Sequence, residues 1–481
     1  MADRGDANVI TSELFEAYLI CATKCYLKSI GELEPGNDYT AWHDAWSESY
    51  RLNNIQRLLA NQSNKVSNSA TDPHQWRRES WDFVLSPIIS TKNMTAAPHV
   101  VRRISLTKSV AFVPVQYVPE NKLTKTHKLM AAFDAFVISK VMGKKISTAV
   151  ITHGDRGSTF TVKVHMLSNT IQKTVHQIGT LLTEPSPPDL ILNRNCPTCG
   201  YFDLCKKKAV AKNELTLLSN FPAKERTRLN RKGIFTVSQL SFTFRPRRRI
   251  KRLADKPEKY HHSLKALAIR EKKIHVVGNP QLCVDGTPIY IDVEGIPDRD
   301  FYYLVGIRLG HDPSGSGQYF WADTVADEKS IWKAFLDILS DTERPVLIHY
   351  GSYETTYFKR MCDRYGELQE NTPAAIAIAN SINLLSIIFA RIYFPTYSNS
   401  LKEIANYLNF KWSDPASSGL QSIIWRHQWE SLHSPALRDK LITYNAEDCE
   451  ALSLVVQNLI RLLASDVEEG VASDAPSEIV N

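Results

Sequence analysis

No stretch of the 481 residues approaches the roughly 20 consecutive apolar residues that cross a bilayer, so a membrane-spanning helix is excluded. The opening MADRGDANVI carries acids and no apolar run, unlike a secretory leader, and a cytoplasmic location is the expectation. No segment repeats, which argues against solenoids and propellers. Neither sign of charge dominates: 58 Lys and Arg against 51 Asp and Glu leave a net charge of +7. Cysteine is sparse, with eight in the chain, and only those at 196, 199 and 205 stand close together. Isolated ones such as Cys283 and Cys362 are read as small buried hydrophobes. What is present is ordinary globular material, 43% hydrophobic and 23% charged, in a chain too long for one core. An α/β multidomain protein is expected.

Read along the chain, ITSELFEAYLICATKCYLKSIGE is a helix capped at Thr11 or Ser12. The run SVAFVPVQYV reads as a strand, HKLMAAFDAFVISKVMG as a long helix, and TAVITHG with FTVKVHML as a strand pair. TEPSPPD breaks the pattern before the cysteines. Residues 213–242 read as two short helices around a turn at Lys232 and Gly233, and a further helix covers HHSLKALAIREKK. From residue 283 to 465 three strands precede a strand–helix alternation and a long final helix, and the closing VEEGVASDAPSEIVN has a disordered composition.

The acids carry the chemistry. Asp292 and Glu294, two apart in PIYIDVEGIPDRDFYYLVG, project from one face of a buried strand, where like charges need a cation between them. Glu354 opens a helix just after the strand PVLIHYG, at the carboxyl end where α/β sheets build sites. Tyr444 and Asp448 lie one turn apart on the last helix, whereas Glu447 and Glu450 fall on other faces and are read as solvated. Four carboxylates suit two Mg²⁺ or Mn²⁺ ions clamping a phosphodiester, with the tyrosine orienting or deprotonating water.

The order DVE, YGSYE and YNAED resembles the DEDD exonucleases, in particular the tyrosine-bearing subgroup. The whole chain resembles the bacterial RecB-like nucleases with a C-terminal YprB-type ribonuclease-H-like domain, through DVEGIPDRDFYYLVG, IHYGSYE and SNSLKEIANYLNF. The resemblance implies 3′–5′ exonuclease chemistry at Asp292, Glu294, Glu354, Tyr444 and Asp448, the four acids holding metal. Glu354 replaces the usual Asp with one more methylene, and Asn383 stands where relatives have an acid.

CPTCGYFDLC places Cys196, Cys199 and Cys205 at a spacing that calls for a thiophilic metal, with a fourth ligand from Cys21 or Cys25. Spacing does not separate zinc from iron–sulfur. One early cysteine followed far downstream by this group resembles the iron–sulfur nucleases of the RecB/AddB type and the CRISPR adaptation exonucleases. That resemblance implies a structural [4Fe–4S] cluster on Cys21, Cys196, Cys199 and Cys205.

A RecB-like (restriction-endonuclease-like) domain cuts with an Asp and then a Glu-x-Lys on adjacent strands. AFVPVQYVPENK has no such triplet inside the strand, Glu120 and Lys122 fall beyond Pro119, and Asp82 alone offers a first acid. This domain, residues 1–212, is read as catalytically degenerate. Residues 213–280 form a helix–hairpin–helix-like and basic linker, in which amides near Gly233 can face a phosphate. From Phe244 to Lys273 twelve Lys and Arg outnumber three Asp and Glu, and Lys232, Gly233, Arg245, Arg247, Arg248, Arg249, Lys251 and Arg252 are the candidate nucleic-acid contacts. Residues 281–465 form the ribonuclease-H-like domain and 466–481 a tail. The combined expectation is a metal-dependent nuclease acting on DNA or RNA. The rival is a non-catalytic nucleic-acid-binding subunit with protein partners in a repair or defence complex.

Overall fold

The chain collapses around two separate cores, one built from residues up to Lys207 and the other from Lys208 onward. The computed structural model describes residues 9–61, 65–67, 73–106, 109–184, 186–245, 259–310, 317–366 and 368–472. Arg247, Arg248, Arg249, Lys251 and Arg252 lie outside the described residues.

In the first unit a six-stranded sheet runs in the order β1 (Val66–Ser67), β2 (Phe83–Leu85), β3 (Val100–Leu106), β4 (Ser109–Val118), β5 (Thr148–His153), β6 (Ser158–Lys163). β3–β4 and β5–β6 are antiparallel hairpins, while β4 and β5 are parallel and therefore need a crossover. The helix Lys125–Met142 supplies it, entered through a Thr124/His127 capping box and left through Gly143 at φ 58°. Its buried face is largely small, with Ala131, Ala132 and Ala135 beside Leu129, Phe133, Val137 and Ile138, so it lies close on the sheet. Buried among them, Asp134 accepts hydrogen bonds from Gln116 on β4 and from Ser12, and burial raises its pKa to about 7.

Two local expectations change. The strand read in FTVKVHML ends at Lys163, and Val164 begins a helix running to Thr183. The first helix is interrupted: Thr11 caps Ser12–Ile20 as expected, but Cys21 is extended (φ −165°, ψ 131°) before the chain resumes as Ala22–Ser29.

The second unit holds a five-stranded sheet in the order β9 (Gly317–Trp321), β8 (Phe301–Leu309), β7 (Thr287–Ile296), β10 (Pro345–His349), β11 (Ile382–Asn383). β7, β8 and β9 form an antiparallel meander, and β10 and β11 add in parallel. β7 is buried along nearly its whole length on both faces, which is why its sequence is an almost unbroken apolar run. Cys283, expected to be buried, is exposed because it lies in the irregular approach to β7 rather than in the strand.

The described residues of the 213–280 segment fall within this second unit. The helix His262–Glu271 buries Leu264 and Ala268 against Tyr393. Its fully buried Lys265 donates to Thr396 Oγ1 (3.0 Å), Ser398 O (3.2 Å) and Asn399 Oδ1 (2.8 Å), satisfying all three ammonium protons. The final helix continues to Ala472, past the expected start of the tail.

The helix Gly419–Leu432 is locked to the sheet by Arg426, which is 0% exposed. Its guanidinium lies 4.7 Å from the Tyr303 ring, 5.0 Å from Trp321 and 4.5 Å from Trp429. It also donates to Ala322 O, Asp323 O and Glu430 Oε1. Arg426→Leu strands those acceptors and should cost about 3–5 kcal/mol, as does breaking other buried ion pairs. Guanidinium denaturation followed by tryptophan fluorescence measures this, and an unshifted midpoint would refute the anchoring role.

Candidate metal centre

β7 and the helix Pro435–Ala472 bring the acids together. One ligand oxygen from each of Asp292, Glu294 and Asp448 lies within 4.8 Å of the other two, the only such group of three His, Cys, Asp or Glu among the described residues. Glu294 is buried while Asp292 and Asp448 are half-buried, so the trio opens to solvent on the Asp292–Asp448 side. The β7–β8 pairing shifts register between Glu294 and Gly295, a bulge of the kind that re-aims side chains beside sites.

Each carboxylate receives a hydrogen bond from a neutral group. Asn445 Nδ2 donates to Asp292 Oδ2 (2.6 Å), Ser422 Oγ to Glu294 Oε2 (2.7 Å) and Trp412 Nε1 to Asp448 Oδ1 (2.7 Å). Tyr444, one turn before Asp448, also hydrogen-bonds it. Burial, reinforced by Asp448, Glu294 and Glu354, raises the pKa of Asp292. Burial likewise lifts Glu294 to about 8 and Asp448 to about 6, against the lowering effect of the Ser422 bond on the first and of the Trp412 and Tyr444 bonds on the second. Burial and the surrounding carboxylates push the Tyr444 phenol far up.

Glu354 stands outside the trio. It is buried, with Oε2 3.6 Å from His349 Nδ1, and neither atom has a hydrogen-bond partner. Its charge nevertheless reaches Asp292 and Glu294. Asn383, at the end of β11, uses its side-chain oxygen to accept from Gly351 N (3.1 Å), bracing the turn between His349 and Glu354. Glu447, read as solvated, accepts from Ser413 N (2.8 Å), fastening the segment that carries Trp412. Asn445, Ser422, Trp412 and His349 were not legible beforehand. Only the place of Asn445 inside YNAED and of His349 inside IHYGSYE hinted at them.

The other expected sites fare unevenly. Cys21, Cys196, Cys199 and Cys205 line one cavity, while Cys25 is buried in the first core. Among the described residues no three cysteine sulfurs lie within 4.8 Å of one another. The walls are drawn together by hydrogen bonds across the sequence: Asn195 Nδ2 to Ile20 O, Asn37 Nδ2 to Cys199 O, and Gly200 N to Glu34 Oε1. Asp82 accepts from Lys65 N, and Glu120 pairs with His43 at 2.7 Å.

At the turn between helices Ala223–Asn230 and Val237–Ser241, Gly233 has φ 76° as expected. However, Lys232 N and Gly233 N donate to Leu229 O (2.8 Å) and Asn230 O (3.0 Å). The turn itself engages those two amides. Lys232 and Arg245 are exposed.

Residues 289–460 match the family model RNase_H_2, of the RNase H superfamily, a span holding every acid of the expected site. No curated protein matches the chain. The C-terminal part is thus an RNase H-like domain whose carboxylate trio suits a divalent cation.

A carboxyl with a raised folded pKa binds its proton more tightly in the folded chain, so stability falls as pH rises between the unfolded and folded values. For Glu294 that window runs from about 4.5 to about 8. In chelator the second unit should therefore melt lower at pH 8 than at pH 5, with a smaller difference in Glu294→Gln, and Mn²⁺ should restore the wild type at pH 8. Identical pH slopes for wild type and variant in differential scanning fluorimetry would refute this.

Proposed function

We propose that the chain is a metal-dependent nuclease whose RNase H-like domain removes nucleotides from a 3′ end of DNA or RNA. The observation that carries this is the Asp292–Glu294–Asp448 trio, hard oxygen donors gathered where a divalent cation would relieve their repulsion once they ionise. When bound, divalent ions would polarise the scissile phosphodiester and stabilise charge on the attacking and leaving oxygens. Asp292, Glu294 and Asp448 would hold them, with Glu354 completing the set from across the site. Tyr444, hydrogen-bonded to Asp448, would orient the attacking water. His349 faces Glu354 and limits where that carboxylate can swing.

The remaining segments serve substrate holding in this reading. Residues 1–212 act as a RecB-like domain without its cutting triplet, a view supported by Gln116 on β4 being tied to Asp134 rather than exposed to a ligand. Lys232, Arg245 and the basic run after it contact the backbone of nucleic acid through side chains. The Cys21, Cys196, Cys199 and Cys205 cavity would hold a [4Fe–4S] cluster. Four zinc-bound sulfurs would lie about 3.8 Å apart, from a Zn–S bond of about 2.3 Å, closer than any three of these cysteines come.

Asp292→Ala and Asp448→Ala each remove several kcal/mol of charge stabilisation, about 10³-fold in rate, from Mn²⁺-dependent degradation of end-labelled DNA and RNA. Tyr444→Phe should lose roughly 10²-fold. Full activity in both Asp variants, with circular dichroism unchanged, defeats the assignment. Anaerobically purified protein should show iron–sulfur charge-transfer absorption that Cys196→Ser abolishes. A colourless protein with one zinc per chain would replace the cluster with zinc.

A further inference from the structure

Among the described residues no Lys or Arg forms an ion pair with Asp292, Glu294 or Asp448. Lys402 lies close enough to lower the pKa of Asp448, but its ammonium donates to Ser417 O and Oγ and sits over the Trp412 ring at 5.1 Å. Asn445, Ser422 and Trp412 instead come from three different segments, and each takes one oxygen of one carboxylate. A cationic partner would neutralise the acid and compete with a metal. A neutral donor orients it and leaves its charge available.

Asn445 shows how far the fold goes to keep this arrangement. It is 0% exposed, and its Nδ2 reaches both the side chain of Asp292 and its backbone oxygen (3.1 Å). Its Oδ1 rests against Gly306, which stands directly across the β7–β8 ladder from Asp292. A Cβ at residue 306 would come within 1.8 Å of that oxygen. Glycine in the interior of a buried strand and asparagine in the interior of a helix are both locally unfavourable. Here they occur together, on facing elements, at the one place where the amide must enter.

We infer that Asn445, Ser422 and Trp412 are the positioning residues of the metal centre, each pinning one carboxylate oxygen so that the other faces the ion, and that Gly306 is glycine to admit Asn445. This rests on the metal-centre reading above. Trp412→Phe keeps the ring and removes only the N–H, Ser422→Ala removes only the hydroxyl, and Asn445→Ala removes the amide. Calorimetric titration of the full-length chain with Mn²⁺ should show affinity weakened by about 10–100-fold in each. Activity should recover at saturating Mn²⁺, so that the apparent metal constant moves while kcat returns towards wild type. Gly306→Ala should weaken Mn²⁺ binding like Asn445→Ala, and the double variant should lose no more than either single one, because both break the same contact.

Wild-type affinity in Trp412→Phe and Ser422→Ala overturns the assignment, as does additive loss in the Gly306/Asn445 pair. A wild-type chain that takes up no Mn²⁺ overturns the metal-centre reading and this inference with it. Mn²⁺ uptake by the wild type with unaltered variants overturns this inference alone.

Discussion

Asp292, Glu294 and Asp448 bring carboxylate oxygens within 4.8 Å of one another where burial and mutual repulsion both oppose their charge. Protons relieve the conflict at low pH, and as they leave, the same carboxylate oxygens suit a divalent cation. The second unit is organised around keeping this unfavourable arrangement in place. β7 is central to the five-stranded sheet and buried on both sides, so its two acids cannot move outward. The final helix presents Tyr444, Asn445 and Asp448 towards them from a single turn and its neighbours, and the helix Gly419–Leu432 delivers Ser422.

The same elements are braced at a distance. Arg426, about one turn beyond Ser422 on the same helix, is held among aromatic rings and backbone carbonyls. Glu430 links it to Arg299 in the β7–β8 turn (2.6 Å). Glu328, fully buried, accepts from Tyr302 N, Arg364 and Tyr365 and so secures the start of β8. Charge that is fully partnered in the surroundings stabilises a centre whose own charge is not.

The first unit solves a different problem, the joining of its two ends. Cys21 and the cysteines from 196 to 205 are far apart in sequence, yet hydrogen bonds from Asn195, Asn37 and Gly200, together with Tyr201 OH to Glu32 O (2.6 Å), already hold these segments in one wall. The break of the first helix at Cys21 directs that residue into the cavity, while Cys25, one turn further on, enters the core. A metal group at this cavity would reinforce a closure that polar contacts begin.

Periodicity and local spacing determined much of this protein. The two-residue spacing of Asp292 and Glu294 and the four-residue spacing of Tyr444 and Asp448 set which side chains share a face, because strand and helix repeats are properties of the backbone alone. The burial of β7, the cap at Thr11 and the turn at Gly233 follow from equally short-range rules. Tertiary structure decided the rest. Trp412, Ser422 and Asn445 become partners of the acids only when separate segments meet, and no local pattern marks a neutral donor for that role. The basic segment reads as a linker from its run of like charges, whereas Lys265 within it is buried and bound to three acceptors supplied by residues 396–399. Glu354 has the position of a ligand in sequence, but its distance from the trio depends on how β10 and the following helix pack. Spacing along the chain settles which residues face the same way; only packing settles what they face.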